Sequence, residues 1–459
     1  MLNVSAIRDT GRGYAWLART TVTRRLMRGD SPRRRLLLLA WLFPPTISGG
    51  VYRPAALARY AIERGWQVTV VCGPEPAEMS PAGRYMLDYV GPHVEVIRVK
   101  PETLRPSWKI FPRVDGGLIN ALQTFDLVLD AIAAAPPGVI VATGPPFHNF
   151  IAARYLGRAT GIPYVLDYRD EWTECPFGFV RKGNVDRHYE RACLRRADRV
   201  VFTTASHLEH QLEVFGDSIR GKCSVIPNGW EPADLGSSTS AAAPVSAGFR
   251  LAFVGTLSDH SSSATFFSAM AQLLDRSPSL RSELRLIFVG QKNHRAKALL
   301  AAFPFQGNLE QIDEVAKPEA LRMMRSADAL LVINEPALHR YLPGKLYEYL
   351  ATETPVLVYG DGGEVPALVR RFDAGCVVAA DDVDALGSAF DALRTMRGSS
   401  REHGVREWLA NHTRENLSHR FVDLLEEVVG HRSQEASVLG QRFDPSPKPR
   451  DRGQARSPR

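Results

Sequence analysis

A stretch near residue 345 combines a helix start, a cation and a carboxylate in a spacing that suits a nucleotide. Pro343-Gly344 ends a loop and opens a helix, so that backbone N–H groups and the positive helix end can meet an anion. Lys345 lies in the first helical turn, and Glu348 follows on the same face about one turn deeper. A lysine beside free amides suits a diphosphate, and a carboxylate suits the hydroxyl donors of a ribose. An ordinary amphipathic helix with an i, i+3 surface ion pair explains the same pattern equally well.

Patterns for several other chemistries are absent from the sequence. The five cysteines form neither a Cys-x-x-Cys pair nor a Cys/His cluster, which predicts no zinc site and no disulfide framework and fits a reducing cytoplasm. No Asp-x-Asp pair ends a predicted strand, and Asp381-Asp382 precedes a helix as an N-cap would. No Gly-x-Gly-x-x-Gly follows a strand, and no P-loop is present. We therefore expect no metal ion, no cofactor and no dinucleotide oxidoreductase.

Charge is unevenly distributed along the 459 residues. The formal net charge is +7, yet residues 1–35 hold nine arginines against two aspartates, and residues 431–459 hold seven basic against three acidic residues. These ends contribute +7 and +4, which leaves −4 for the body of the chain. A basic protein with an acidic body is not typical of a nucleic-acid binder, and it indicates an enzyme with cationic ends.

Short apolar runs alternate with amphipathic helices over most of the chain. The first alternation begins with LLLLAWLF at residues 36–43 and ends with CSVIPNG; the second begins with FRLAFVG and ends with GCVVAA. Apolar strands that alternate with helices predict a parallel, doubly wound sheet. The expected fold is therefore α/β, with two Rossmann-like domains, a number that the chain length also favours.

The composition of the segments predicts where the domains begin and end. Residues 233–248 are small and polar, which is typical of a linker, and the residues beyond 430 have the composition of a disordered basic tail. The predicted division is a basic N-terminal extension (1–34), a first domain (35–232), a linker (233–248), a second domain (249–404), a helix that packs back on the first domain (405–430) and the tail (431–459).

Neither a membrane span nor a signal peptide is indicated. The run at residues 36–43 is far shorter than the roughly 20 residues that a span needs, and Pro44-Pro45 without a small-residue cleavage site argues against a signal peptide. We expect a cytoplasmic protein. Residues 1–34, in which Trp16 and leucines stand among arginines, form either an interfacial helix on an anionic membrane or a poorly ordered extension.

Eight segments in this order resemble the retaining GT-B glycosyltransferases, which build bacterial surface polysaccharides and glycosylated metabolites. The resemblance is taken to cover residues 36–430, and the segments that carry it are FPPTISGGVYRPAALARYAIERGWQVTVV, GIPYVLDYRDEW, ADRVVFTTA, SVIPNGWE, LAFVGTL, LIFVG, ADALLVI and PGKLYEYLATETPVLVY. The resemblance implies a GT-B fold, in which a nucleotide-sugar donor and a hydroxyl acceptor meet in a cleft between the two domains.

The resemblance also implies roles for residues on the donor side of the cleft. Lys345 matches the contact to the donor diphosphate, and Glu348 matches the carboxylate that holds the ribose. The pair Gly49-Gly50 follows the first strand, where a backbone without side chains can approach the diphosphate or the sugar; a plain turn is the alternative. Asn228 matches a turn that enters the interdomain cleft, with a simple loop as an equally good alternative, and Thr256 stands where many members carry a cation.

The sequence gives weaker indications of which residues contact the acceptor and the reacting carbon. Asp170, at the end of DYRD, and His148, after TGPPF, are the candidates to orient or deprotonate the acceptor hydroxyl, with a packing role as the alternative for His148. Many members place a glutamate near the transferred sugar at the position of Arg340. An arginine there is expected to meet an anionic sugar or the phosphate.

These observations predict a metal-independent glycosyltransferase that uses a nucleotide-diphosphate sugar, with a UDP-sugar favoured, and retains the anomeric configuration. Its acceptor is a hydroxyl compound, either lipid-linked or soluble. Two alternatives remain open: a sugar-nucleotide epimerase of the same fold, and a non-catalytic pseudo-glycosyltransferase that binds a partner protein.

Overall fold

Leucine- and valine-rich strands of this chain assemble into two separate parallel sheets, each covered by helices on both faces. The computed structural model describes residues 34–99, 113–236, 248–258, 264–396 and 403–441. Nearly all of the basic N-terminal extension, most of the predicted linker and the tail beyond residue 441 lie outside the described residues.

Within the described ranges, the first sheet has seven strands in the order β3-β2-β1-β4-β5-β6-β7, all parallel. The strands are β1 (Arg35–Leu39), β2 (Gln67–Cys72), β3 (Glu95–Arg98), β4 (Val139–Gly144), β5 (Tyr164–Tyr168), β6 (Arg199–Phe202) and β7 (Cys223–Val225). The helices are α1 (Tyr52–Glu63), α2 (Pro81–Val90), α3 (Leu118–Ala134), α4 (His148–Thr160), α5 (Asp186–Arg196), α6 (Ala205–Phe215) and α7 (Pro232–Gly236).

The second sheet, counted over the same described residues, has six parallel strands in the order β10-β9-β8-β11-β12-β13. The strands are β8 (Phe249–Val254), β9 (Leu284–Val289), β10 (Leu309–Ile312), β11 (Ala329–Ile333), β12 (Val356–Tyr359) and β13 (Gly375–Val378). The helices are α8 (Ala264–Arg276), α9 (Pro278–Glu283), α10 (His294–Ala302), α11 (Lys317–Ser326), α12 (Gly344–Ala351), α13 (Glu364–Arg371) and α14 (Val383–Met396), followed by α15 (His403–Asn411) and α16 (Arg414–Gln441).

The strand order of each sheet reverses at its centre, and this reversal creates the place where a ligand can bind. In the first sheet β1 lies between β2 and β4, with Leu36 opposite both Val68 and Val139. In the second sheet β8 lies between β9 and β11 in the same way. Connections leave β1 and β4, or β8 and β11, toward opposite faces, so a crevice opens at the carboxyl ends of these strands. The glycine pair after β1 and the residues after β4 and β5 lie at this edge.

The C-terminal helix α16 returns from the second domain to the first. Leu417, Phe421 and Leu425 are buried in the core that also contains α1. The chain turns just before α16, where Trp230 and Thr413 form a short β-bridge. A single helix over 405–430 was expected; instead α15 and α16 are separate, and α16 continues to Gln441.

The expected fold class is confirmed: both domains are parallel α/β sheets with helices on both faces. The sequence patterns did not predict the strands β3 and β10, each of four residues at one edge of its sheet. Among the described helices, none has the length and apolar character that a membrane crossing requires.

Candidate functional site

A cleft of about 990 Å³ lies between the two domains, at the carboxyl ends of their central strands. Residues that follow β1, β4 and β5 form its first-domain wall, and residues that follow β8, β9 and β11 form the opposite wall together with α12. Seven of the predicted site residues line this cleft: Gly49, Gly50, Asp170, Asn228, Thr256, Lys345 and Glu348. The first and second domains therefore each contribute predicted residues to one common cavity.

Lys345 is a half-buried cation at the beginning of α12. Its Nζ lies 3.5 Å from the ring centroid of Phe253, at the end of β8, in a cation–π contact. No carboxylate pairs with this lysine among the described residues. Burial lowers the pKa of Lys345 to about 7, because the charged ammonium loses hydration. A lysine in this state, beside the free amides of a helix N-terminus, is suited to bind an anionic group.

The lowered pKa of Lys345 predicts that nucleotide binding weakens as the pH rises above 7. A bound diphosphate favours the ammonium form and raises its pKa, so the complex must take up a proton above pH 7. We expect the Kd for UDP to increase by up to about tenfold per pH unit between about pH 7 and 9. Isothermal titration calorimetry in buffers of different ionisation enthalpy measures both the Kd and the proton uptake. Lys345→Arg stays charged over this range, so its Kd should be flat with pH, and a slope equal to that of the wild type would contradict the assignment.

Glu348 lies one turn into α12 with a nearly buried side chain and two cationic neighbours. Lys317 Nζ, at the start of α11, donates to Glu348 Oε1, and an Arg414 nitrogen from α16 lies 3.5 Å from the same oxygen. The second oxygen, Oε2, has no hydrogen-bond partner among the residues that the structure describes. The carboxylate is thus fixed through one oxygen, and the other is available to accept hydrogen bonds from a diol.

The second glycine of the pair after β1 is in contact with Arg169, the residue that directly follows β5. Arg169 Nη1 donates to the Gly50 carbonyl at 2.6 Å, and its Nη2 donates to the Pro145 carbonyl after β4. Arg169 therefore joins the two loops that form the first-domain wall of the cleft. A Cβ on Gly50 would lie 1.7 Å from Arg169 Nη1, whereas a Cβ on Gly49 would have nothing within 4 Å.

This difference predicts unequal effects of two neighbouring alanine substitutions on stability. Gly50→Ala must displace the buried Arg169 guanidinium, and we expect it to lower the free energy of unfolding by about 1–3 kcal/mol. Gly49→Ala is the matched control and should change it by less than about 0.5 kcal/mol. Urea denaturation followed by tryptophan fluorescence measures both. Equal losses for the two variants would rule out the packing explanation.

Asp170 follows Arg169 and lies on the first-domain wall of the cleft. Its side chain is partly exposed and lines the cleft. Burial of the carboxyl raises the pKa of Asp170 to about 6, against the opposing effect of Arg169. A carboxylate with a pKa near neutrality can accept a proton from a hydroxyl or orient it by a hydrogen bond. The placement fits the acceptor-side role expected for Asp170.

The structure places His148 away from the cleft wall. This histidine is the first residue of α4; its side chain is fully buried and packs edge-on against Trp41, with ring centroids 4.6 Å apart. Burial lowers the pKa of His148 to about 3, so the imidazole is neutral. A neutral ring that reaches no cleft surface cannot contact an acceptor in this arrangement. The geometry therefore favours the packing role.

The structure also places Arg340 differently from the expectation. Its Nε and Nη2 each donate to the Glu171 carboxylate at 2.7 Å, in a two-point ion pair between the domains. Arg340 does not contribute to the cleft wall, and Glu171 neutralises its charge. In this arrangement the Arg340 guanidinium is directed to Glu171 and not into the cleft.

The two predicted cleft residues lie on opposite sides of the cavity. Asn228 follows β7, and its Nδ2 donates to the Leu342 carbonyl of the second domain at 3.4 Å. Thr256 follows β8 with an exposed side chain on the cleft. Asn228 thus joins the two domains directly at the cleft edge.

Three charged residues of the site were not identified from the sequence. Lys317 and Arg414 surround Glu348, and Arg53 from α1 donates to the Asp167 carboxylate and to the Pro227 carbonyl. Lys317 and Arg414 are distant in the chain from Glu348, and no local motif links them to it. The sequence offered one signal: Arg53 stands three residues after the glycine pair, in the run YRPAALARY.

Two parallel sheets face each other across a cleft. A helix N-terminus and a lysine lie on one wall, and a glycine loop lies on the other. This arrangement defines a two-domain transferase of the GT-B class. Comparison with protein families agrees: residues 48–229 match the family described as "Glycosyl transferase 4-like domain", and residues 248–395 match "Glycosyl transferases group 1". The chain belongs to these glycosyltransferases, and it is a glycosyltransferase of GT-B fold.

Solved structures with the same fold align over nearly their whole length. Sucrose-phosphate synthase from Thermosynechococcus elongatus is 16% identical, with a TM-score of 0.57, over 89% of this chain and 100% of that one. The glycosyltransferase WaaG, involved in lipopolysaccharide biosynthesis, is 16% identical, with a TM-score of 0.53, over 86% and 98%. An Escherichia coli structure titled as trehalose-6-phosphate bound with UDP-2-fluoro glucose is 13% identical, with a TM-score of 0.56, over 85% and 99%. No curated protein sequence matches the chain.

Proposed function

We propose that this glycosyltransferase moves a sugar from a nucleotide-diphosphate donor, a UDP-sugar in the favoured case, to a hydroxyl acceptor. The observation that carries the proposal is the beginning of α12, where Lys345 and Glu348 open on the same cleft. The spacing of a cation at the first turn and a carboxylate one turn later fits a diphosphate and a ribose. A structural neighbour whose title names UDP-2-fluoro glucose supports the choice of a UDP donor.

In the proposed reaction, the bond between the anomeric carbon and the diphosphate oxygen breaks, and a bond from the acceptor oxygen to that carbon forms. Lys345 and the amides of α12 stabilise the negative charge of the departing diphosphate. Asp170 orients the acceptor hydroxyl and is the candidate to take its proton. Because cationic and amide groups supply the neutralising charge, we propose that no metal is needed. Retention of configuration rests on the family resemblance.

The test is a panel of UDP-, GDP- and dTDP-sugars, assayed for thermal stabilisation and slow donor hydrolysis. We expect one nucleotide to stabilise the protein and its sugar to be released, and both effects to weaken in Glu348→Gln, which keeps the shape but loses the charge. Glu353→Gln is the matched control, since Glu353 follows the same helix and pairs with Arg406 at the surface. No response to any nucleotide would overturn the proposal.

Product analysis in the same assay separates the two remaining alternatives. A sugar-nucleotide epimerase converts the donor to its epimer with the nucleotide still attached, whereas a transferase releases the nucleoside diphosphate. A pseudo-glycosyltransferase binds the nucleotide and produces neither product, with or without a panel of acceptors.

We further propose an acceptor of apolar or lipid-linked character in polysaccharide or glycosylated-metabolite biosynthesis. Phe179 is 62% exposed on the cleft, and it stacks on Phe177 with ring centroids 5.2 Å apart. Phe177 itself is buried, so the exposed ring of Phe179 is the apolar surface that the pair offers to a bound molecule. Phe179→Ala is expected to raise the KM for such an acceptor and to leave the KM for the donor unchanged.

A lipid-linked acceptor predicts that the protein binds anionic membranes through residues 1–34. Basic residues near an anionic surface contribute about 1 kcal/mol each, so removal of this segment should abolish binding to phosphatidylserine vesicles. Co-sedimentation measures the bound fraction, with neutral vesicles as reference. A chain without residues 442–459, which are also basic, is the matched control. Equal losses on both truncations would indicate general charge attraction, and unchanged binding would exclude a role of residues 1–34.

A further inference from the structure

A short segment of the second domain is built into the first domain. This segment, residues 336–342, which we call the strap, follows β11 and ends directly before the Pro343-Gly344 start of α12. Its Tyr341 is buried in the hydrophobic core of the first domain, and Leu338 packs against the same core. The Tyr341 ring lies 5.1 Å from that of Phe177 and 5.9 Å from that of His207. The strap thus belongs to the second domain in the chain and to the first domain in its packing.

Polar contacts fix the strap on both sides of Tyr341. Thr204 Oγ1 donates to the Arg340 carbonyl at 2.6 Å, and Asn228 Nδ2 donates to the Leu342 carbonyl at 3.4 Å. Ser206 of the first domain donates from both its amide and its hydroxyl to Glu364, which lies beyond α12, at 3.2 and 2.6 Å. These contacts all join residues that follow β6 and β7 of the first domain to the chain on either side of α12.

A two-point ion pair between Arg340 and Glu171 also joins the two domains. The two bonds of 2.7 Å are of the fork-to-fork kind, and the Glu171 side chain is completely buried. His210 Nδ1 lies 2.7 Å from the Glu171 oxygen that accepts from Arg340 Nε. Burial alone would raise the pKa of Glu171, but the bond and charge of Arg340 together with His207 and His210 outweigh burial, and the pKa is lowered. The carboxylate is therefore ionised, and a two-point bond between charged groups is sensitive to displacement.

Each residue of the ion pair lies within five residues in the chain of a group proposed to act on a substrate, one on the donor side and one on the acceptor side. Arg340 is five residues before Lys345, and Glu171 directly follows Asp170 on the acceptor wall. The pair consequently connects the residue that neutralises the leaving group with the residue that orients the acceptor. In two-domain enzymes, a shift of about 1 Å between such groups can cost about 100-fold in rate.

We propose that Glu171 and Arg340 are positioning residues, whose ion pair holds the start of α12 in register with the acceptor wall across the cleft. This inference rests on the proposed function, because it assigns a donor to α12 and an acceptor to the wall that contains Asp170. Arg340 acts through Lys345, and Glu171 acts through Asp170; neither is proposed to contact the substrate.

The test is a charge exchange at the two positions, measured at about pH 8, where a histidine is normally neutral. Arg340→Glu and Glu171→Arg each place like charges together, and the double variant restores an ion pair in the opposite sense. We expect each single variant to lower kcat for donor turnover by about 100-fold and to change the Kd for UDP by less than about threefold. The double variant should recover at least about tenfold in kcat over the poorer single variant.

Hydrogen exchange gives a second measurement that does not depend on turnover. The strap and the first turn of α12 should exchange faster in both single variants and should regain protection in the double variant. The control is Arg406→Glu, which places two like charges at an exposed position where Arg406 normally pairs with Glu353. This variant should leave the hydrogen exchange of the strap unchanged. If the single variants do not fold, Arg340→Gln and Arg340→Lys serve instead, with partial activity expected only in the lysine variant.

A double variant no better than the single variants in both kcat and exchange would overturn the proposal. So would single variants whose Kd for UDP rises as much as kcat falls, since that result indicates general damage to the nucleotide site. Failure of the proposed function is distinguishable, because the wild type would then neither bind UDP, GDP or dTDP nor release a sugar. In that case the exchange data alone still decide whether the ion pair holds the strap.

Discussion

Replacement of Lys345 by methionine is expected to lower the rate of glycosyl transfer by about 100- to 1,000-fold. The loss of one preorganised group that meets developing negative charge has an effect of this size in other enzymes. Methionine matches the length and the apolar stem of lysine and can keep the packing on Phe253. The measurement is kcat with the donor identified in the nucleotide panel, together with the Kd for the corresponding nucleoside diphosphate.

Two comparisons make this result specific for the charge of Lys345. The variant should be at least as stable as the wild type, because it removes a cation that is costly to bury. Lys345→Arg restores the charge and should recover part of the rate, although its bulk does not fit the ring of Phe253 equally well. A methionine variant with full activity would show that the diphosphate binds elsewhere.

The position on the cleft of the residues proposed to bind the donor could be predicted because these residues are close together in the chain. Pro343, Lys345 and Glu348 lie within six residues, and helical geometry alone places the last two on one face. The glycine pair directly follows a strand, and the end of a central strand in a doubly wound sheet opens on the ligand crevice. Local rules were therefore sufficient to bring these residues to one cleft.

The same rules did not predict the orientation of side chains that can point either into the cleft or away from it. His148 follows a central strand just as the glycine pair does, yet as the first residue of α4 it turns into the core against Trp41. Arg340 lies five residues before Lys345, but its direction depends on the buried Glu171, 169 residues earlier in the chain. No pattern within a single segment contains that information.

Edge strands and distant ion pairs were missed for a related physical reason. The strands EVIR and LEQI contain charged or amide residues because one side of each faces water, so they lack the apolar run that marks a central strand. Arg414 reaches Glu348 only because α16 returns across the molecule. Such contacts follow from the tertiary arrangement and are invisible to periodicity.

Substitution of Arg414 by methionine is expected to lower the free energy of unfolding by about 3–5 kcal/mol. This arginine is almost completely buried between the Asp234 and Glu348 carboxylates, at 3.7 and 3.5 Å, and over the ring of Tyr52 at 4.6 Å. Burial disfavours its charge, but Glu348 and Asp234 together with the neighbouring tyrosines outweigh that effect, and the pKa of Arg414 is raised. Removal of the cation leaves carboxylates buried without it, which is more costly than the loss of the attraction itself.

The effect of Arg414→Met should be seen both in stability and in nucleotide binding. The first transition in urea reports the stability, and the Kd for UDP should rise at the same time, because Glu348 keeps only Lys317 as a neighbouring cation. Arg406→Met is the matched control: its ion pair with Glu353 is exposed, and its loss should cost no more than about 1 kcal/mol. If both variants were equally stable, Arg414 would not be the link through which α16 supports the donor site. A stable Arg414 variant with weakened UDP binding would instead assign this arginine to the nucleotide site alone.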